Sequence, residues 1–364
     1  MLVLLVVLLI FLCLQLIAWG YLLASSSPTP LPLTHFPSVS ILVAARNEEA
    51  NIQSCLEALE RLTYPKDKLQ ILIGDDTSTD RTAAIVQDFI KDKPHFQLHF
   101  IKIKLGRAIG KANVLAHLAH QAKGDWFFFT DADVVVPSTW IESMLGSIQR
   151  KPRNIIMGFT SMLGQKPFSR LQAIDWCFAL GLIHLFMRQG LPITTMGNNM
   201  VFKREAYWST GGYEKLPPSI VEDFTLFQAA VKRGAHFVHI VHPSITAYTQ
   251  PMPSFLTLLQ QRKRWMRGAL RLPWYMVLYL WLQVAFFPCI IAVLFEQPVA
   301  GITIWSIKIS LQSLFIRLLL RRIRHSQPWY YLILYEFYIG FLSATLIIYY
   351  ILPIKIRWKG RTYH

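Results

Sequence analysis

The residues best suited to chemistry in this chain are carboxylates in close pairs. Asp131 and Asp133 flank one alanine in Thr130-Asp131-Ala132-Asp133-Val134. Carboxylates at i and i+2 at a strand end can converge on one hard cation. Mg2+ or Mn2+ takes oxygen ligands and completes its shell with substrate phosphates. The apolar neighbours at 127–129 and 134–136 make two unpaired carboxylates costly there without a cation; a solvated acidic turn is the plainer alternative. Asp75 and Asp76 lie in Gly74-Asp75-Asp76-Thr77-Ser78. They could accept hydrogen bonds from a nucleobase N–H or a ribose hydroxyl, or simply form an Asp-rich turn before a helix cap. Glu222 and Asp223 open a helical pattern that ends near Arg233-Gly234. The helix dipole keeps such acids ionised, and an ionised carboxylate in a cleft can act as a general base. Asp223 is the first candidate and Glu222 the alternative, against plain helix-start acids. On a helix Gln261, Arg264 and Trp265 share a face at i, i+3 and i+4. A guanidinium beside an indole suits a diphosphate and a sugar ring; a basic amphipathic helix lying on an anionic membrane fits the same pattern.

These side chains need elements to hold them. From residue 38 to about 249 the pattern is that of a soluble domain alternating strand with helix. Residues 39–45 form a short buried-strand run. A helix is expected over 48–62, a second strand over 69–74, and a helix capped by Ser78 or Asp80 and running through Ile90. A third strand is expected at 99–103, a helix at 111–122 and a strand at 126–130. This alternation predicts a parallel α/β sheet with ligands at the strands' carboxyl ends.

The chain has 364 residues, 53% hydrophobic and 16% charged, which excludes a disordered chain. Residues 2–23 are apolar for long enough to cross a bilayer, and the start lacks the basic residue of a signal peptide. Residues 1–24 are read as a membrane anchor and 25–37 as a linker. Residues 38–250 are the α/β domain, 251–272 an amphipathic interface helix, and 273–364 a membrane region with a basic tail. Four scattered cysteines without a C-x-x-C pair argue against a disulfide scaffold or a zinc ribbon. The net charge of +16 could serve nucleic acid, an anionic membrane or a phosphate-bearing substrate. With no interleaved aromatic and basic motif, nucleic acid is set aside. His236, His239 and His242 repeat every third residue, which on a strand turns the middle one to the opposite face, so they do not read as one zinc site.

Taken in order, Ala44-Ala45-Arg46-Asn47-Glu48, Asp75-Asp76-Thr77-Ser78-Thr79-Asp80, Gly110-Lys111, Asp131-Ala132-Asp133, Glu222-Asp223 and Gln261-x-x-Arg264-Trp265 resemble the membrane-associated family 2 glycosyltransferases. The ending Trp358-Lys359-Gly360-Arg361-Thr362-Tyr363 is similar to that of bacterial members. Two positions depart: Thr77 stands where the family usually has Gly, and Val221 where the polymer synthases often have Thr. The resemblance implies a GT-A fold flanked by transmembrane helices, a UDP-sugar donor, Mg2+ or Mn2+, and transfer with inversion. It implies that Ala44, Ala45, Glu48, Asp75 and Asp76 hold the nucleoside and that Lys111 lies near the donor. Asp131 and Asp133 would bind the metal–diphosphate, and Asp223 would take the acceptor's proton. Gln261, Arg264 and Trp265 would line the acceptor and leaving-group end.

The expected acceptor is a membrane lipid, glycosylated at the cytosolic face of what is read as a bacterial inner membrane. A processive polysaccharide synthase of the hyaluronan, cellulose or chitin kind is the alternative. Three apolar runs follow the domain, at 272–295, 302–320 and 329–353. Three full crossings would put the basic tail outside, against the positive-inside tendency. One run is therefore expected to be re-entrant or interfacial, the first being suspect because Pro273 and Pro288 interrupt it.

Overall fold

The computed structural model describes residues 2–25, 29–269, 271–359 and 361–363; residues 26–28 of the expected linker and Gly360 of the tail lie outside them. Helix α1 (Leu2–Ala24) leads into β1 (Val39–Ala45), α2 (Ile52–Glu60), β2 (Leu69–Asp75), α3 (Thr82–Ile90), β3 (Phe96–Phe100), α4 (Lys111–Gln121) and β4 (Trp126–Asp131). Next come β5 (Val134–Val135), α5 (Trp140–Gly146), β6 (Ile155–Met157), β7 (Thr160–Met162), α6 (Pro167–Arg188), β8 (Met200–Lys203), α7 (Arg204–Ser209) and α8 (Glu222–Val231). β9 (Phe237–His239) and β10 (Ala247–Thr249) complete the α/β part. Helices α9 (Phe255–Ala269), α10 (Trp274–Glu296), α11 (Pro298–Arg322) and α12 (Trp329–Ile351) follow, then a hairpin of β11 (Ile356–Trp358) and β12 (Arg361–Tyr363).

The expected α/β architecture forms. The central sheet has the order β3-β2-β1-β4-β8-β6-β9, with β1 to β4 parallel and β8 antiparallel to β4 and β6. Strands covered on both faces read as continuous apolar runs, and Ile41, Leu42, Val43, Phe127, Phe128 and Phe129 are all fully buried. Successive side chains serve opposite faces. Leu42, Leu72, Phe127 and Phe129 pack into one core with α4 and α6, while Ile41, Ile71 and Phe128 pack into another with α2 and α5. Each such side chain contributes about 1.5–3 kcal/mol by leaving water. β3 starts three residues earlier than expected, because Phe96 is buried edge-on against Phe89 of α3 at 5.7 Å whereas Phe100 is exposed.

One element is hidden in the alternating pattern. α6 is long and apolar enough to cross a membrane, as are α1, α10, α11 and α12, but it is largely buried and the other four are not. Phe178 of α6 meets the rings of Phe315 on α11 and Tyr335 on α12 at 5.8 and 5.9 Å. α6 is therefore the layer between the sheet and the apolar helices.

Those helices are tied differently. α1, α10 and α11 pack together, with Phe11 against Tyr279 and Phe286 at 6.2 and 5.2 Å. Arg322, ending α11, donates to the Leu22 and Ser25 carbonyls at the end of α1. Lys308 on α11 pairs with Glu336 on α12, which also accepts from Trp305 Nε1 at 2.9 Å and Gln312 Nε2 at 3.1 Å. Pairing of this kind is what makes a charge tolerable among apolar helices. α12 is bound at one end to α6 and at the other to α9. Near its start Arg170 of α6 donates to Gln327 at 2.9 Å and lies over the Tyr331 ring. At its end Lys263 of α9 donates to the carbonyls of Tyr349 and Leu352 at 3.0 and 2.8 Å. Neither proline breaks the first run: Pro273 sits at the start of α10, where its fixed φ suits a helix, and α10 continues through Pro288.

Candidate active site

The carboxyl ends of β1, β2 and β4 lie side by side, with Ala44 opposite both Gly74 and Asp131 and Ala45 opposite Asp75. The loops leaving β1 and β2 are laced together. Asn47 N–H donates to Ser78 Oγ at 3.1 Å, Thr79 N–H to Asn47 Oδ1 at 2.9 Å, and Glu48 N–H to Thr82 Oγ1 at 2.7 Å. Thr77 has φ 53°, a left-handed conformation that a β-branched residue adopts only under strain. That is the backbone reason for the glycine expected there. In this chain the Thr77 hydroxyl donates to the Asp76 carbonyl at 2.6 Å and accepts from Arg46 at 2.8 Å. Asp75 is buried; one oxygen accepts from Ser78 N–H at 3.1 Å and the other has no hydrogen-bond partner among the described residues. Of the pair, Asp76 and not Asp75 lines the cavity described below.

Lys111, in the first turn of α4, reaches across to the other acids. Its ammonium pairs with Asp131 and lies 3.2 Å from Glu222. Burial works against its charge, but Asp131 and Glu222 outweigh it and hold its pKa above the ordinary lysine value. Asp223 opens α8. One oxygen accepts from the backbone N–H of Gly197 at 2.7 Å and the other from Phe224 N–H at 2.8 Å. A side chain at 197 would crowd Asp223 and the Lys111 ammonium, both within 3.3 Å of a built Cβ. Burial and the neighbouring Glu222 push the Asp223 carboxyl up to about 6, with Lys111 and the two N–H donors opposing.

Asp133 is pushed up to about 6 as well, by burial and by Asp131, with Lys111 opposing. Two such carboxylates at the mouth of a parallel sheet form an oxygen-only donor set, which fits Mg2+ or Mn2+. Among the described residues no three His, Cys, Asp or Glu side chains converge as a metal cluster. The protein would thus offer two carboxylates and leave the remaining positions to phosphate and water. His239, the middle member of the histidine repeat, is turned into the core, where its Nδ1 lies 3.0 Å from that of His184.

A cavity of about 440 Å3 joins these groups. Ala44, Ala45, Asp76, Lys111, Asp131 and Asp133 line one part of it. Glu222, Asp223, Gln261, Arg264 and Trp265 line another. Glu48 stands behind the wall: Lys359, from the terminal hairpin, pairs with it and itself lines the cavity. Arg46 Nε donates to the Lys359 carbonyl at 3.1 Å. The roles of three further features were not foreseen from the sequence: the Gly197 N–H that orients Asp223, the partners of Trp265, and the way the terminal hairpin returns to Glu48 and Arg46. Trp265 stacks on Trp176 of α6 at 4.8 Å and lies under the Arg262 guanidinium at 4.6 Å; Asp175 of α6 pairs with Arg262.

Residues 40–211 match the family described as Glycosyl transferase family 2, and residues 126–356 match Glycosyl transferase family group 2. A beta-monoglucosyldiacylglycerol synthase from Synechocystis sp. is 27% identical over 241 residues, 64% of this chain and 48% of that one. A poly-beta-1,6-N-acetyl-D-glucosamine synthase from Staphylococcus epidermidis is 31% identical over 187 residues, 47% of this chain and 42% of that one. The chain spans about half the length of the curated relatives it matches. A mannosyltransferase from Pyrobaculum calidifontis, solved in complex with GDP-Man and Mn2+, has a TM-score of 0.61 at 16% identity, covering 94% of this chain and 99% of that one. That likeness shows a shared GT-A fold.

Proposed function

The chain belongs to glycosyl transferase family 2, and from that premise we propose that it moves one sugar, with inversion, from a UDP-sugar to the hydroxyl of a membrane lipid. The observation that carries this reading is the convergence of Asp223, Lys111, Asp131 and Asp133 on one cavity. In this reading Asp76 and the unpartnered oxygen of Asp75 hold the nucleoside at the strand ends. Asp131 and Asp133 would hold Mg2+ or Mn2+, which when bound supplies positive charge to the departing diphosphate. Asp223, fixed by Gly197 N–H and ionised at neutral pH, takes the proton from the acceptor hydroxyl as it attacks the anomeric carbon. Arg264 and Lys111 add positive charge at the leaving-group side.

The lipid acceptor is supported by the relative named as a diacylglycerol-glycosylating synthase and by the five helices long and apolar enough to cross a membrane. The relative named as a polysaccharide synthase keeps polymer synthesis as the alternative, and product size separates the two. For orientation we read α1, α10 and α11 as crossing, with the α/β domain on the cytosolic side. α12, fastened to α6 near its start and to α9 at its end, lies along the interface, and the basic hairpin stays with the domain. The test is a screen of radiolabelled UDP- and GDP-sugars on membranes containing the protein, with lipid extraction. A single-sugar lipid is expected. A water-soluble ladder would favour the polymer synthase, and the absence of any product with every donor would defeat the reading.

A further inference from the structure

The cavity does not stop at the carboxylates. It is also lined by two helices that lie far apart in the chain. α6 presents Trp176, Ala179 and Ile183, at i, i+3 and i+7; α9 presents Trp265 and Gly268, with Leu272 just past the helix end, beside the polar Gln261, Arg262 and Arg264. All six line the cavity, and none can hydrogen-bond to more than a single polar atom through its side chain. Trp176 and Trp265 are stacked at 4.8 Å at one end of the stripe. At the other end α6 meets α10: Phe186 packs on Tyr275 and Tyr279 at 5.7 and 6.3 Å, and the Tyr275 hydroxyl donates to the Pro192 carbonyl at 2.9 Å. α10 is long and apolar enough to cross a membrane. The α6 stripe thus continues, one turn beyond Ile183, into contact with a helix long and apolar enough to cross a membrane.

We infer that this path, between Trp176, Ala179 and Ile183 on one side and Trp265, Gly268 and Leu272 on the other, takes the single extended apolar chain of an amphiphilic acceptor whose hydroxyl reaches Asp223. The inference rests on the glycosyl-transfer reading and names its acceptor class. Sugar polymers carry hydroxyls along their whole length and would meet few hydrogen-bonding partners along these six residues, away from Gln261, Arg262 and Arg264. A hydrocarbon chain meets none of that cost and is held by burial and by the two indoles. Gly268 lies close to the base: a Cβ there would come within 2.9 Å of Val221, next to Glu222 and Asp223. From Trp176 to Ile183 the stripe is about 10 Å long, so selectivity should fall on the part of the chain nearest the hydroxyl. Each methylene buried there should strengthen binding about fourfold.

The test uses the full chain in detergent with a long-chain primary alcohol carrying a diazirine near its hydroxyl end. After irradiation in the presence of UDP, label is expected on residues 176–183 and 265–272, and Ala179→Trp should reduce it at least tenfold. If that variant fails to fold, Ile183→Trp asks the same question one turn further along α6. Shortening the alcohol should weaken its competition against the probe in steps of about fourfold per methylene. Label confined to the outward faces of α1, α10, α11 and α12, or competition independent of chain length, would overturn the inference. UDP and GDP binding measured by calorimetry on the same samples keeps the two readings apart. Loss of all nucleotide binding in the wild-type protein would indict the glycosyl-transfer reading, whatever the label does.

Discussion

The proposed donor part of the cavity and its proposed acceptor part are built in opposite ways. The donor part is made of short contiguous motifs at the ends of β1, β2 and β4, held in register by a parallel sheet. Its groups are charged and its loops are cross-linked by hydrogen bonds. The acceptor part lies between α6 and α9, elements whose contacting residues Asp175 and Arg262 are 87 positions apart. It sets Trp176, Ala179, Ile183, Gly268 and Leu272 beside the polar Gln261 and Arg264, and its geometry depends on helix packing and on α12, whose Tyr335 hydroxyl donates to Asp175 at 3.1 Å. A charged half set by a sheet beside a half set by helix packing suits the proposed reading, in which one side holds a nucleotide and the other a lipid.

Variants should separate the halves. The largest effect is expected from the metal side: chelation should reduce transfer to background, and Asp133→Ala should weaken donor binding as seen by calorimetry. Full transfer in excess chelator would remove the cation from the account. Asp223→Asn should lower turnover about 10²–10⁴-fold with donor affinity nearly unchanged; near-normal turnover would shift the base to Glu222. Trp176→Ala should act on the other half alone, raising the acceptor KM about tenfold, the scale of one lost aromatic pair, while donor affinity holds. A matching loss of donor affinity would mean that Trp176 merely supports the fold. The smallest effect is Thr77→Gly. It relieves the left-handed φ but gives up the bond to Arg46, so a change in stability within about 1 kcal/mol is expected, read from chemical denaturation.

The same contrast explains what could be read in advance. Asp131, Asp133, Glu222 and Asp223 were legible because a strand end or a helix start fixes where neighbouring residues point. Thr77 was legible as an anomaly, and its φ supplies the cause. α6 was not legible, because its apolar residues face three different neighbours and leave no single stripe to recognise. Asp175, Trp176 and Gly197 matter only through partners distant in sequence. Lys359 is a stronger case, since 313 positions separate it from Arg46. Pro273 and Pro288 do not interrupt the run as a helix, for a local reason: one lies just before α10 and the other is absorbed within it. It is α12, with no proline inside it, that is fastened to α6 near its start and to α9 at its end.

The central claim is that Asp223 accepts the acceptor's proton inside this cavity, and the pH dependence of turnover tests it most directly. Burial and Glu222 raise its carboxyl to about 6, so the base is ionised above that pH and lost as pH falls through it. An ordinary aspartate would remain ionised to about pH 4. Measured at saturating donor and acceptor, kcat should fall about tenfold per pH unit on the acid side of about 6. That limb should be missing from the residual activity of Asp223→Asn. A profile that stays flat down to about pH 4, or an acid limb that survives unchanged in Asp223→Asn, would contradict the account.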